Sequence, residues 1–214
     1  MSDGDDALMA GISAAYLKRY PLLNEMSAKL ERHTRDVLAG LEHIDRIGFR
    51  VKAVTSFAKK AVDRNDAGEL RYSEPHEEIE DQIAGRILVF FRRDIHVVAE
   101  RLLKSLNRVE QIRKAPRSHD AFAYESEHLV LIIPPYAQPA GWAQLELKPN
   151  TFEVQIRTLF MHAWAEPQHD LAYKGTVPLV EDEKRRLAWA ASSAWGGDEI
   201  FEQVLNSVAL RSRS

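Results

Sequence analysis

The sequence predicts an α+β domain, a mixed β-sheet of about five strands flanked by helices, with helical segments at both ends of the chain. Three observations predict it. Residues 7–45 and 180–210 carry apolar side chains at helical steps. Between them lie short runs of strand-forming residues, RILVFF (86–91) and HLVLII (128–133). A helical stretch at 94–106 separates those runs, so strands and helices interleave. The expected organisation is one domain over 1–214: a disordered start at 1–6, N-terminal helices at 7–45, a catalytic core at 46–175 and C-terminal helices at 180–210.

The elements follow in order. Leu22, Met26, Leu30, Val37 and Leu41 recur at three- and four-residue steps or their sums, and Pro21 marks the stop of one helix and the start of the next. Ile47 and Gly48 end that pattern. Residues 53–62 read as a short helix, followed by a polar turn. Ser73-Glu74-Pro75 opens another short helix, expected to reach Ala84–Gly85. Residues 111–123 are irregular and basic. Ala143–Lys148 and Phe152–Arg157 read as a strand hairpin around a Lys-Pro-Asn-Thr turn. From Thr158 the chain is helical to about Tyr173, with Pro167 as a kink, and Gly196-Gly197 breaks the last helical region.

The bulk numbers exclude several classes. With 214 residues, 45% hydrophobic, the chain can bury one sizeable core. A net charge of −3 does not suit a general polyanion binder. No cysteine is present, which excludes disulfides, thiolate zinc sites and a cysteine nucleophile. The first residues form no secretory signal and no apolar run is long enough to span a membrane, so the expected location is cytoplasmic.

Several segments carry chemistry-bearing side chains. In a strand over EVQIRT (153–158), Glu153, Gln155 and Arg157 share one face, and Phe152, Val154 and Ile156 the other. Alone, this is an ordinary amphipathic strand as readily as a site. His162, Glu166, His169 and Tyr173 fall on one helical face, read as a hydrogen-bonded polar face beside the strand in preference to a metal site. Lys52, Ser56 and Lys60, entered by Arg50, put three cations and a hydroxyl near a helix start, which suits a polyphosphate or simply a solvated face. Asp81 sits just before Arg86 at a strand mouth, where a carboxylate can hold Mg²⁺ together with phosphate oxygens. Tyr124, Ser126 and His128 alternate onto one face, and a tyrosine there can stack on a base.

In their combination and order these motifs resemble the synthetase domain of the RelA/SpoT alarmone family. Arg50-Val51-Lys52 with Ser56 and Lys60 resembles its phosphate-binding stretch. IEDQIAGRILVFF places Asp81 and Arg86 in register with its strand entry. AYESEH (123–128), EVQIRT and MHAWAEPQHDLAYK (161–174) match three further motifs, so the similarity spans about residues 15–205. Without a preceding hydrolase domain or a following regulatory one, the likeness is to the small stand-alone members. The resemblance implies that Arg50 and Arg86 sandwich the adenine of ATP, and that Lys52 and Lys60, with Ser56, hold its phosphates. It implies that Asp81 and Glu153 bind Mg²⁺, with Glu153 beside the acceptor hydroxyl. Tyr124 would stack on the acceptor base, and His128 and Arg157 would contact phosphates. The implied reaction transfers pyrophosphate from ATP to the 3′-hydroxyl of a purine nucleotide, GDP or GTP, or else ADP or ATP.

Departures from the pattern are Ala84 in place of a glycine, read as a shifted backbone turn, Ala123 before the tyrosine, and Glu125, whose charge disfavours a phosphorylated acceptor. Two other readings stay open: a toxin that pyrophosphorylates the 3′ end of tRNA, using Arg113, Lys114 and Arg117, and an inactive nucleotide-binding sensor. Trp189 and Trp195 on the C-terminal helices either fold back on the domain or form an oligomer interface; a homo-oligomer such as a tetramer and a partner antitoxin are further expectations of the resemblance.

Overall fold

A computed structural model describes residues 3–114, 122, 126–171 and 177–212. The chain runs α1 (Asp3–Leu38), β1 (Ile44–Val51), α2 (Val54–Ala61), α3 (Pro75–Glu78), a 3-10 turn (Glu80–Gln82), β2 (Ile83–Val89), α4 (Arg92–Leu103), β3 (Arg108–Lys114), β4 (Ser126–Ile132), β5 (Thr151–Thr158), α5 (Leu159–His169) and α6 (Glu181–Arg211), with 3-10 turns at Pro135–Ala137 and Trp142–Gln144. The sheet order is β1-β2-β5-β4-β3. Only β2 and β5 pair in parallel; the other three pairings are antiparallel. This is the mixed five-stranded sheet flanked by helices that the sequence predicts.

One face of the sheet is dry. Ile83, Ile87, Val89, Leu129, Leu131, Phe152, Val154 and Ile156 point into a core closed by α1 (Tyr16, Leu23, Met26, Leu30) and α4 (Val98, Ala99, Leu102). Burying such side chains stabilises by about 1.5–3 kcal/mol each. The other face carries the polar members of the same strands and is left open for a ligand.

Several elements differ from expectation. One helix, already begun at Asp3 inside the stretch expected to be disordered, runs through Pro21 and ends at Leu38, and Ile44 and Asp45 already belong to β1. Pro21 lies on the solvent side, where water can take the carbonyl that proline cannot satisfy, while Leu23, Met26 and Leu30 stay buried. The helix opened by Pro75 stops at Glu78, and Ala84 and Gly85 lie inside β2, so no backbone turn is shifted there. Residues 111–114, the start of the stretch read as irregular, belong to the edge strand β3, whose exposed faces hide the strand period. Ala143–Lys148 forms no strand; a 3-10 turn buries Trp142 instead. Gly196-Gly197 does not break α6, because a Cβ at Gly197 would lie 2.8 Å from Cε1 of Phe160: the glycine serves close packing.

Candidate active site

Strand pairing lays the polar residues out in rows. Paired residues on adjacent strands share a face. One row reads Arg50, Ala84, Glu153, Val130. The next reads Gly48, Arg86, Gln155, His128. A third reads Arg46, Leu88, Arg157. A cleft of about 190 Å³ lies over them, lined among others by Arg46, Phe49, Arg50, Arg86, Gln155 and His162.

Asp81 anchors one end of this face. Lys52, at the junction of β1 and α2, donates to its Oδ2 at 2.6 Å, and Lys60, in the last turn of α2, donates to Oδ1 at 2.9 Å. Lys52 is fixed from both sides: its N–H donates to the Gln82 carbonyl at 2.9 Å, and Tyr16 donates its hydroxyl to the Lys52 carbonyl at 3.1 Å. Burial opposes ionisation of Asp81, but the two ammonium groups outweigh it and hold its pKa below the usual carboxylate value. For Lys60, burial likewise works against the charge and is outweighed by Asp81, so its pKa is raised. Ser56 is exposed on α2, and Arg50 is exposed on β1.

Glu153 is held from the side of β4. His128 meets its Oε1 at 2.5 Å through Nδ1, and Gln155 donates to the same oxygen at 2.9 Å. Burial raises the Glu153 pKa, the bond and charge of His128 lower it more, and the negative charge of Asp81 raises it again; the net shift is downward. Asp81 and Glu153 thus sense each other across one polar face, both favoured in the ionised form.

The opposite end is an arginine cluster. Glu166 Oε1 accepts from Arg157 Nη2 at 2.7 Å and lies 3.0 Å from Arg86 Nη1, with His162 Nδ1 at 3.8 Å. Burial raises the Glu166 pKa but the arginines lower it further, and burial together with Arg157 and Arg86 keeps His162 below its usual value. Of the polar helical face expected here, His162 and Glu166 meet the strand arginines, His169 is exposed and Tyr173 lies outside the described residues; among the described residues no group of acids or histidines forms a metal-ligating cluster by itself.

The structure therefore brings Arg50, Lys52, Lys60, Asp81, Arg86, His128, Glu153 and Arg157 to one face, with Ser56 at its rim. Tyr124, Ala123 and Glu125 lie outside the described residues. Sequence reasoning missed Arg46 and Phe49. Their signal was the R-x-G-x-R alternation at 46–50, obscured because that stretch was read as the end of a helical region.

Residues 49–177 match the family model for a region found in RelA/SpoT proteins. The chain belongs to the RelA/SpoT family. The GTP pyrophosphokinase YjbM of Bacillus subtilis is 35% identical over 170 residues, covering 77% of this chain and 74% of that protein. The crystal structure of small alarmone synthetase 1 from Bacillus subtilis superposes with a TM-score of 0.70 at 26% identity, covering 91% of this chain and 98% of that one. The same synthetase bound to its product pppGpp gives a TM-score of 0.69 at 25% identity over the same shares of the two chains. The likeness places this chain among the small RelA/SpoT-type synthetases. As in that reading, no helix among the described residues is long and apolar enough to cross a membrane.

Proposed function

We propose that this RelA/SpoT protein is a pyrophosphokinase that moves the β,γ-pyrophosphate of ATP onto the 3′-hydroxyl of GDP or GTP in the cytoplasm. The observation that carries the reading is the pair of ionised carboxylates, Asp81 and Glu153, on one polar face between a lysine end and an arginine end. The YjbM relative, by its name, acts on GTP, and the related synthetase forms pppGpp; both favour a guanosine acceptor over ADP or ATP.

Each group has a task. Arg50 and Arg86 flank the cleft at a spacing set by neighbouring strands, and their flat guanidinium groups suit the faces of the adenine. Lys52 and Lys60, with the Ser56 hydroxyl, take the donor phosphates. The 3′-oxygen of the acceptor attacks the β-phosphorus, the bond from that phosphorus to the α-phosphate oxygen breaks, and AMP leaves with the bond electrons. Glu153, already ionised, accepts the hydroxyl proton directly or through water. His128 orients Glu153 and, with Arg157, contacts phosphate near the transferred group. Tyr124 would stack on the acceptor base. Most of the acceleration is positioning and electrostatic stabilisation, because phosphoryl-type transfer asks little covalent chemistry of the protein.

The donor set fits a hard divalent cation. Asp81 and Glu153 offer ionised oxygens and no sulfur, the ligand type Mg²⁺ accepts when nucleotide phosphates and waters complete its shell. Asp81 and Glu153 would hold it, and bound there it would offset the charge of the phosphates.

The test uses ATP labelled on its γ-phosphate, with Mg²⁺ and each of GDP, GTP, ADP, ATP and bulk tRNA. Label on GDP or GTP is expected, and Tyr124→Ala should then raise the acceptor KM. Label on tRNA alone would establish the toxin reading, and no transfer to any acceptor by folded protein would establish the sensor.

A further inference from the structure

The cleft's arginine end depends on a helix that contributes no side chain to the cleft lining. Thr158 closes β5 and caps α5: its Oγ1 accepts the Met161 N–H at 3.1 Å. The same hydroxyl donates to Oδ2 of Asp198 on α6, at 2.6 Å, and both residues are almost wholly buried, at 1% and 2% exposure. A buried acid is costly unless it is hydrogen-bonded, so its position forty residues along the chain needs a reason. The contact supplies one. A threonine hydroxyl can turn its hydrogen towards the helix and cease to accept; a carboxyl oxygen on the far side holds the hydrogen away and leaves the lone pairs facing the α5 N–H groups.

Docking of α6 is built around this contact. Gly197, the preceding residue, lets α6 approach Phe160 of α5 more closely than any Cβ would allow. Glu199, the following residue, accepts from Arg92 of α4 at 2.7 Å, and Trp164 of α5 donates to the Leu187 carbonyl at 2.9 Å. The lever from cap to cleft is long. Glu166 lies eight residues beyond Thr158, about 12 Å along the helix, so a tilt of about 10° at the cap would move its carboxylate by about 2 Å. That displacement exceeds what the bonds from Glu166 to Arg157 and Arg86, 2.7 and 3.0 Å long, can absorb.

We propose that Asp198 is a positioning residue for the transfer reaction: through the Thr158 hydroxyl it sets the angle of α5, and through Glu166 it holds Arg86 and Arg157 where the donor nucleotide binds. The inference rests on the pyrophosphokinase reading and deepens it.

The experiment compares Asp198→Ala, Asp198→Asn, Thr158→Val and Thr158→Ser with the wild type in initial-rate kinetics, at a temperature well below each melting point. AMPCPP affinity is measured alongside. Asp198→Ala and Thr158→Val should each raise the KM for ATP and the Kd for AMPCPP by about ten- to a hundredfold. Asp198→Asn, which keeps an acceptor oxygen, and Thr158→Ser, which keeps the hydroxyl, should restore most of that loss. A purely architectural contact would lower the melting point and the active fraction, leaving KM and Kd unchanged; that result overturns the proposal. So does an Asp198→Asn variant as impaired as Asp198→Ala. Folded wild-type protein that transfers nothing and binds no AMPCPP would instead sink the pyrophosphokinase reading.

Discussion

The two ends of the cleft solve one problem in opposite ways. At each end a single carboxylate holds two cations: Asp81 holds Lys52 and Lys60, and Glu166 holds Arg86 and Arg157. At the lysine end the cations come from the end of β1 and from α2, and their carboxylate from the 3-10 turn that leads into β2, the strand beside β1. Lysine is a compact point charge that can swing onto a phosphate. At the arginine end the cations sit on the two central strands of the sheet, and their carboxylate arrives on α5, a helix oriented from α6. Planar guanidinium groups fixed on strands cannot swing far, which suits the face of a base. The comparison teaches that the mobile charges are placed where phosphate moves and the rigid ones where the nucleotide is held still.

The largest effect should come from the carboxylates at the lysine end. Asp81→Ala and Glu153→Gln should each lower transfer by about a thousandfold or more, with the fold retained by circular dichroism and melting point. Activity within tenfold of the wild type in either variant would contradict their assignment. The asymmetry between the ends is tested next. Glu166→Gln keeps the shape of the clamp but weakens its hold on two arginines, and should raise the ATP KM by about tenfold with little change in kcat. If Glu166→Gln proves as damaging as Asp81→Ala, the distinction between a chemical end and a holding end is wrong.

Most of the site was legible because its chemistry lies on strands and at strand mouths. Alternation put Glu153, Gln155 and Arg157 on one face, and the order of motifs joined Asp81 and Lys52 to them. The edge strands were not legible. In β3 both faces are exposed, so no apolar period marks it. In β1, Ile47 and Gly48 read as a break in a helical pattern, although Arg46, Gly48 and Arg50 alternate with the buried Ile47 and the half-buried Phe49. Asp198 was invisible for another reason: a buried acid in a helix has no local signal when its partner lies forty residues away. Trp195, expected either to fold back on the domain or to form an oligomer interface, meets Arg92 at 5.8 Å and Phe122 at 5.9 Å within the chain.

Acid should act on the lysine end before it reaches the carboxylates. His76 lies beneath it, buried in the ring cluster of Phe57 and Tyr16, and burial, aided by Arg19, pushes its pKa down to about 4. A depressed histidine favours the folded state while it stays neutral. The unfolded chain takes up that proton below about pH 6.5, so stability should fall from there to about pH 4 and level off as the folded state also protonates. Asp81 and Glu153 are depressed too, and their contribution is lost only as the pH falls below the ordinary carboxylate range. The melting point of the wild type should therefore decline in two stages. His76→Phe, which keeps a ring in the cluster, should remove the first; a single-stage decline in the wild type would contradict the linkage.

The smallest effect tests the packing under the arginine end. Gly85 pairs with Phe49 across β1 and β2, and a Cβ there would come within 2.5 Å of the Phe49 ring. By strand alternation the ring belongs to the dry face with Val154, where it lies 6.3 Å from the Phe152 ring, across the sheet from Arg50 and Arg86. Gly85→Ala should lower stability by about 1–3 kcal/mol by overpacking the dry face, and AMPCPP affinity should change little because the ring lies across the sheet from Arg50 and Arg86. Phe49→Leu in the same chain should recover the stability by removing the clashing ring edge. If the double variant is as unstable as Gly85→Ala alone, the strain lies in the β2 backbone and not against that ring.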